Sequence, residues 1–108
     1  MKLTSSTIQG WQSIHADGQI DSKTVLALRD YIDNELKEGM PVALDLSCVT
    51  FMSSAGLRTL LTLHRRTQEM NVSLALVGIS QEIGDTMKIT GFYDYFKIYS
   101  HINDLPPA

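Results

Sequence analysis

The hydrophobic period changes twice between residues 42 and 77, and this restricts the folds open to the chain more than any other feature. In PVALDLSCVTFM, Val42, Leu44 and Leu46 alternate with Ala43 and Asp45, which is the period of a largely buried strand. From Ala55 to about Met70 the period becomes helical. Leu57, Leu60, Leu61 and His64 share one face, and Leu63, Thr67 and Met70 widen its apolar side. NVSLALVG, 71 to 78, returns to a strand with Val72, Leu74 and Leu76 on one face. Ala75 and Val77 lie on the other face, so cover is expected on both sides.

The flanks extend the alternation. KLTSSTI and WQSIHA read as two short strands, with Gly10 as a turn residue between them and DGQID, 17 to 21, closing the region. Trp11 and Ile14 do not share one period-two face, which points to a bulge or a shifted register. In SKTVLALRDYIDNELKEG, Val25, Leu28, Ile32 and Leu36 form a helical stripe, with Asp21 or Ser22 as the expected N-cap and Gly39 as the expected stop. A strand after this helix implies a β-α-β crossover and a parallel pairing. SQEIGDTMKITG reads as a third helix capped by Ser80, with Ile83 and Met87 inward and Gly91 at its end. YFKIYS reads as a last strand, and HINDLPPA as a tail that its prolines keep out of regular structure. The sum is an α/β sandwich with helices on a mostly parallel or mixed sheet, expected as a single domain over 1–108.

Composition excludes several classes. The chain is 44% apolar and 19% charged, which is ordinary for a packed core and too apolar for a disordered chain. Its net charge of −3 comes without a concentrated basic patch, and HRR at 64 to 66 is too small to hold a phosphate backbone. No nucleic-acid partner is expected. The N-terminus lacks the apolar core of a signal peptide and no run could span a bilayer, so a cytoplasmic protein without membrane insertion is expected. Cys48 is the only cysteine, which rules out an internal disulfide.

No catalytic set can be assembled. His15, His64 and His101 fall in three different elements without a ligand partner at metal-binding spacing, so neither metal nor cofactor is expected. MSSAG is not the G-x-S-x-G of a hydrolase elbow, and no phosphate-cradling glycine loop is present. The expectation is a binding protein, not an enzyme.

That leaves Ser53 and Ser54 at the head of the central helix. A serine there caps the helix by accepting an early N–H, and one serine suffices. Gly56 is a poor helix former in a first turn; a residue without a side chain there allows close approach of another backbone, within the domain or across an interface. The same position could hold a phosphate, because a helix N-terminus tolerates added negative charge while a docked partner would meet a hydrated dianion. Spacing alone leaves cap and switch open.

Three stretches carry a family resemblance: GQID at 18 to 21, LDLSCVTFMSSAGLRTLL at 44 to 61, and ITGFYDYFKIY at 89 to 99. The chain resembles the STAS domain in the form of the bacterial anti-sigma-factor antagonists. The resemblance implies a mixed sheet of four to five strands flanked by helices. It also implies partner switching. The unphosphorylated antagonist binds an anti-sigma factor that is also a serine kinase; phosphorylation releases it; a metal-dependent serine phosphatase resets it. The family acceptor lies two residues before the motif glycine, which maps it onto Ser54 with Gly56 as that glycine. Ser53 stands where many members have an aspartate and is a competing acceptor. Asp21, Ser53, Ala55, Gly56, Leu57 and Arg58 become the expected partner-binding set, with Asp21 and Asp45 as polar neighbours of the site and Arg58 as a counter-charge for a phosphate. Members of this family also serve as constitutive subunits of transporter or scaffold assemblies, which is the alternative reading.

Overall fold

Five strands lie side by side in the order of the chain. The computed structural model describes residues 1–108. The order in sequence is β1 (Lys2–Ile8), β2 (Trp11–Ile20), α1 (Val25–Glu35), β3 (Val42–Met52), α2 (Ser54–Glu69), β4 (Leu74–Val77), α3 (Gln81–Ile89) and β5 (Lys97–Tyr99), with short 3-10 turns at Tyr93–Tyr95 and Ile102–Asp104. The sheet order is β1-β2-β3-β4-β5. β1 and β2 are antiparallel and every later pair is parallel, so the sheet is mixed.

The antiparallel start follows from Gln9 and Gly10, both at positive φ (51° and 87°), a two-residue turn whose twist suits a hairpin. Each later strand is reached through a helix. A right-handed crossover that always advances in the same direction must leave its helix on the same side. Leu28 and Ile32 of α1, Leu57, Leu60 and Leu63 of α2, and Ile83 and Met87 of α3 accordingly pack into one core with Ile14, Leu44 and Leu76. Those three sheet residues form one cross-strand row with Ile98.

The other sheet face has no helix of its own. Trp11, Ala43, Ala75 and Val77 are covered there by Leu105, which is 2% exposed. Trp11 Nε1 donates to the Pro106 carbonyl at 2.7 Å, and the Ala108 amide donates to the Gln9 carbonyl at 2.9 Å. The tail is thus a strap across the sheet, and Trp11 and Ile14 are both buried because they face opposite layers. β2 also runs on through DGQI to Ile20, with register shifts at His15/Asp17 and Gly18/Gln19.

Local expectations shift where turn chemistry intervenes. α1 begins at Val25 after Thr24 and ends at Glu35, with Leu36 as its C-cap; Gly39, at φ +71°, turns the chain three residues later. Val72 is not in β4. Its amide donates to the Thr67 carbonyl and that of Asn71, at φ +56°, to Gln68, which is the Schellman closure of α2. Gly91 and Phe92 close α3 in the same way, on Lys88 and Met87. The last strand is only Lys97–Tyr99, because Tyr93–Tyr95 forms a 3-10 turn. No helix is long and apolar enough to cross a membrane.

Candidate functional site

β3 ends at Met52 beside the end of β2, and the Ser53 amide donates to the Ile20 carbonyl at 2.8 Å. This bond fixes where the strand stops and the helix starts. Ser53 has extended backbone, and its Oγ accepts the Gly56 amide at 3.3 Å. Ser53 is therefore the N-cap and Ser54 the first helical residue. The Leu57 amide is taken by the Ser53 carbonyl. The amides of Ser54 and Ala55 have no partner within the helix. Ser54 is exposed while Ser53 is half-buried, and the Ser54 hydroxyl makes no hydrogen bond in the fold.

Gly56 is buried against the end of β2. A Cβ on it would lie 2.6 Å from Ile20 Cγ2, 2.8 Å from Met52 Cγ and 3.3 Å from the Ile20 carbonyl oxygen. The close approach is thus made inside the domain, and it lets the head of α2 sit directly on the ends of two strands. Leu57 is 7% exposed and belongs to the core. Ala55 is half-buried and Arg58 is exposed, one turn after Ser54 on the same side of the helix.

Asp21 immediately follows Ile20, so it stands next to the Ser53 junction. Its Oδ1 accepts the amides of Lys23 at 2.9 Å and Thr24 at 3.2 Å, which shapes the turn into α1. Asp45 does not belong to this neighbourhood. It lies on the sheet face away from the helices, seven residues before Met52 and hence roughly 20 Å along the strand. There its Oδ2 is 3.2 Å from His15 Nδ1, and its Oδ1 accepts the Ser47 amide at 3.0 Å. Burial pushes the Asp45 carboxyl up, but the Ser47 hydroxyl and amide and the neighbouring His15 outweigh it and hold the carboxyl below its ordinary value.

The structure adds a wall that sequence periodicity left out. A groove of about 120 Å³ opens beside Ser53 and Ser54, bounded by Met52 and Leu57 on one side and by Ile83, Thr86, Met87 and Thr90 of α3 on the other. A shallower groove through Phe51 and Glu82 shares Met52, Ile83 and Thr86 with it, so one trough runs past the head of α2. Phe51 is 51% exposed at its end. Thr86 and Thr90 sit three and seven residues after Ile83, a spacing that marks them as the rim of that helix's inner face.

The remaining candidates are dispersed. His64 packs against Tyr95 and Phe96, His15 pairs with Asp45, and the His101 amide donates to Asp104 at 3.2 Å. No three His, Cys, Asp or Glu side chains converge to hold a metal ion. Cys48 is exposed and free.

The family model of the STAS domain matches residues 4–105. An anti-sigma-B factor antagonist of Listeria monocytogenes is 28% identical over 86 residues, spanning 79% of this chain and 75% of that one. Among solved structures, an anti-sigma factor antagonist from Mycobacterium paratuberculosis superposes with a TM-score of 0.84 at 23% identity, covering 95% of this chain and 88% of the other. The Bacillus cell fate determinant SpoIIAA in its phosphorylated form superposes with a TM-score of 0.68 at 16% identity, covering 92% of each chain.

Proposed function

The chain belongs to the STAS domain family, and from that membership we propose that it is an anti-sigma factor antagonist whose complex with an anti-sigma factor kinase is broken by phosphorylation of Ser54. In this reading residues 1–108 act as one unit, and the protein is a ligand and a substrate. The kinase supplies the ATP chemistry, and a metal-dependent serine phosphatase restores the binding form.

One observation carries the assignment. Of two adjacent serines at the same helix head, Ser53 is engaged as the cap and Ser54 is exposed with an unpartnered hydroxyl. A kinase can take the Ser54 hydroxyl without dismantling the helix start. Ser53 would have to give up its bond to Gly56 first. The name of the Listeria relative supports the antagonist role, and the existence of a phosphorylated SpoIIAA structure of the same fold supports the modification.

Release follows from electrostatics. A phosphate adds about −1.5 to −2 charges and brings three strong acceptor oxygens. The amides of Ser54 and Ala55, without partners in the helix, and Arg58 one turn on favour negative charge at this helix head, so the fold would accommodate it. A partner seated over Ser53, Ser54, Ala55 and the trough beside Leu57, with Asp21 on its rim, must instead desolvate a dianion. Incubation with the cognate kinase and ATP, followed by intact-mass and fragment spectra, tests this: one phosphate on Ser54 is expected. Modification of Ser53 instead, or none, overturns the assignment.

A further inference from the structure

We propose that the face of α2 formed by Ser54, Arg58, Leu61 and Arg65, together with the groove beside Phe92 and Tyr95, docks an acidic segment of the partner protein that carries an aromatic or aliphatic anchor. This deepens the preceding reading and rests on it for the claim that partner and acceptor serine share one face.

The four residues are spaced by four, three and four, which places them on one side of the helix. Charge marks that side. The chain as a whole is at −3, yet α2 carries Arg58, Arg65 and Arg66 against a single acid, Glu69. Arg66 is engaged by Asp33 of α1. Arg58 and Arg65 are exposed and in no ion pair; Glu69, the nearest acid to Arg65 in sequence, is not paired with it. Two guanidiniums without partners thus stand in line behind the acceptor serine.

An aromatic wall lies next to them. A groove of about 570 Å³ is lined by Leu61, His64, Arg65, Gln68, Phe92 and Tyr95. Tyr95 is 55% exposed, and its ring stacks on His64 at 5.8 Å. His64 is in turn held edge-on by Phe96 at 5.3 Å, and Phe92 tilts against Tyr95 at 5.9 Å. Ring contacts within the domain thus hold the wall together. Exposed aromatic and arginine side chains around a groove are the composition of an interface centre. Free guanidiniums select carboxylates as the complementary groups. A nucleic acid is disfavoured, because two free cations on a chain of net negative charge fall short of what a phosphate backbone needs.

The proposal also gives the phosphate a sign. Attached to Ser54, it sits one turn from Arg58, takes that guanidinium from the partner's carboxylate and repels the acidic segment along the rest of the strip.

The test uses the full chain and a labelled peptide in which aspartates and glutamates surround one tryptophan, with a lysine-for-acid counterpart and a single-stranded RNA oligomer as controls. The acidic peptide is expected to shift the amide NMR signals of Arg58, Leu61, Arg65 and Tyr95. Its affinity should fall about tenfold in the Arg58→Glu, Arg65→Glu double variant, as lost charge pairing at two sites predicts. Well-dispersed spectra of the variant confirm that it is folded, and it should gain affinity for the lysine peptide. No shift of these signals by the acidic peptide up to about 1 mM, where even weak contacts register, overturns the proposal. Equal or stronger shifts from the lysine peptide or the RNA also overturn it. Phosphate mapping on Ser54 is a separate measurement, so the switch can fail while the docking strip stands, and the reverse.

Discussion

The hydroxyl of Ser53 accepts the amide hydrogen of Gly56 at 3.3 Å, and this one bond separates the roles of two adjacent serines. Ser53→Ala is expected to cost about 1 kcal/mol of stability, as loss of an N-cap does. Ser54→Ala should leave the urea midpoint nearly unchanged while removing the proposed acceptor. Ser54→Asp should keep the fold and weaken the kinase complex, whereas Ser54→Ala should hold the binding form. Urea unfolding and kinase pull-down on the three variants check this. Equal destabilisation by Ser53→Ala and Ser54→Ala would contradict the division of labour.

Gly56 and Ile20 are in direct opposition. Alanine is the better helix former by about 1 kcal/mol, so propensity alone predicts that Gly56→Ala stabilises the protein. Its Cβ would meet Ile20 Cγ2 at 2.6 Å, however, and overpacking of this kind costs about 1–3 kcal/mol. Net destabilisation is expected. In the Gly56→Ala, Ile20→Ala double variant the penalty should be smaller than the sum of the single ones, because the clashing methyl is gone. Denaturant melts of the four-member cycle give the coupling directly.

The Asp45 carboxyl, held below its ordinary value of 3.8 despite its burial, links stability to acid. A carboxyl whose folded value is depressed contributes stability above its unfolded value and loses that contribution as pH falls through the folded one. Acid unfolding should therefore steepen below about pH 4, and Asp45→Asn should flatten this part of the profile. Fluorescence-detected unfolding between neutral and strongly acidic pH checks both. An unchanged slope in Asp45→Asn would remove His15, Ser47 and Asp45 from the acid response.

Leu105 and Trp11 make the C-terminal strap measurable. Leu105 is 2% exposed and packs with the only tryptophan of the chain. Leu105→Ala is expected to cost about 2–4 kcal/mol, as for other buried leucines. Emission of Trp11 should shift to the red as water reaches the ring. A variant with native emission and native stability would show that the strap does not seal the sheet.

The trough beside α3 gives a prediction for binding without stability. Thr86 and Thr90 line it from exposed positions. Thr86→Arg should leave the thermal midpoint close to that of the parent, since exposed substitutions shift stability by only about 0.5 kcal/mol. It should reduce capture of the proposed anti-sigma factor partner. Retained capture would move the docking footprint off α3.

The elements were legible in the sequence because their causes are local. Period two in Val42, Leu44 and Leu46, the helical stripe through Leu57 and Leu60, and the caps at Ser80 and Gly91 depend on neighbours within a turn or two. The motif around Ser53, Ser54 and Gly56 was legible for the same reason. What remained open depended on distant partners. Which serine caps α2 is decided by the bond from the Ser53 amide to the Ile20 carbonyl, 33 residues earlier, because it fixes where β3 ends. Whether Gly56 meets its own domain is decided by Ile20 and Met52, which a crossover brings beside it. Asp45 is placed with His15, on the sheet face opposite the helices, by strand register. The tail, discounted for its prolines, becomes the back layer because the one-directional crossovers leave that face without a helix. Sequence alone therefore set the elements and the chemistry at the head of α2. Tertiary structure decided which hydroxyl is free and what surrounds it, because exposure and hydrogen-bond partnership belong to pairs of residues that only the fold brings together.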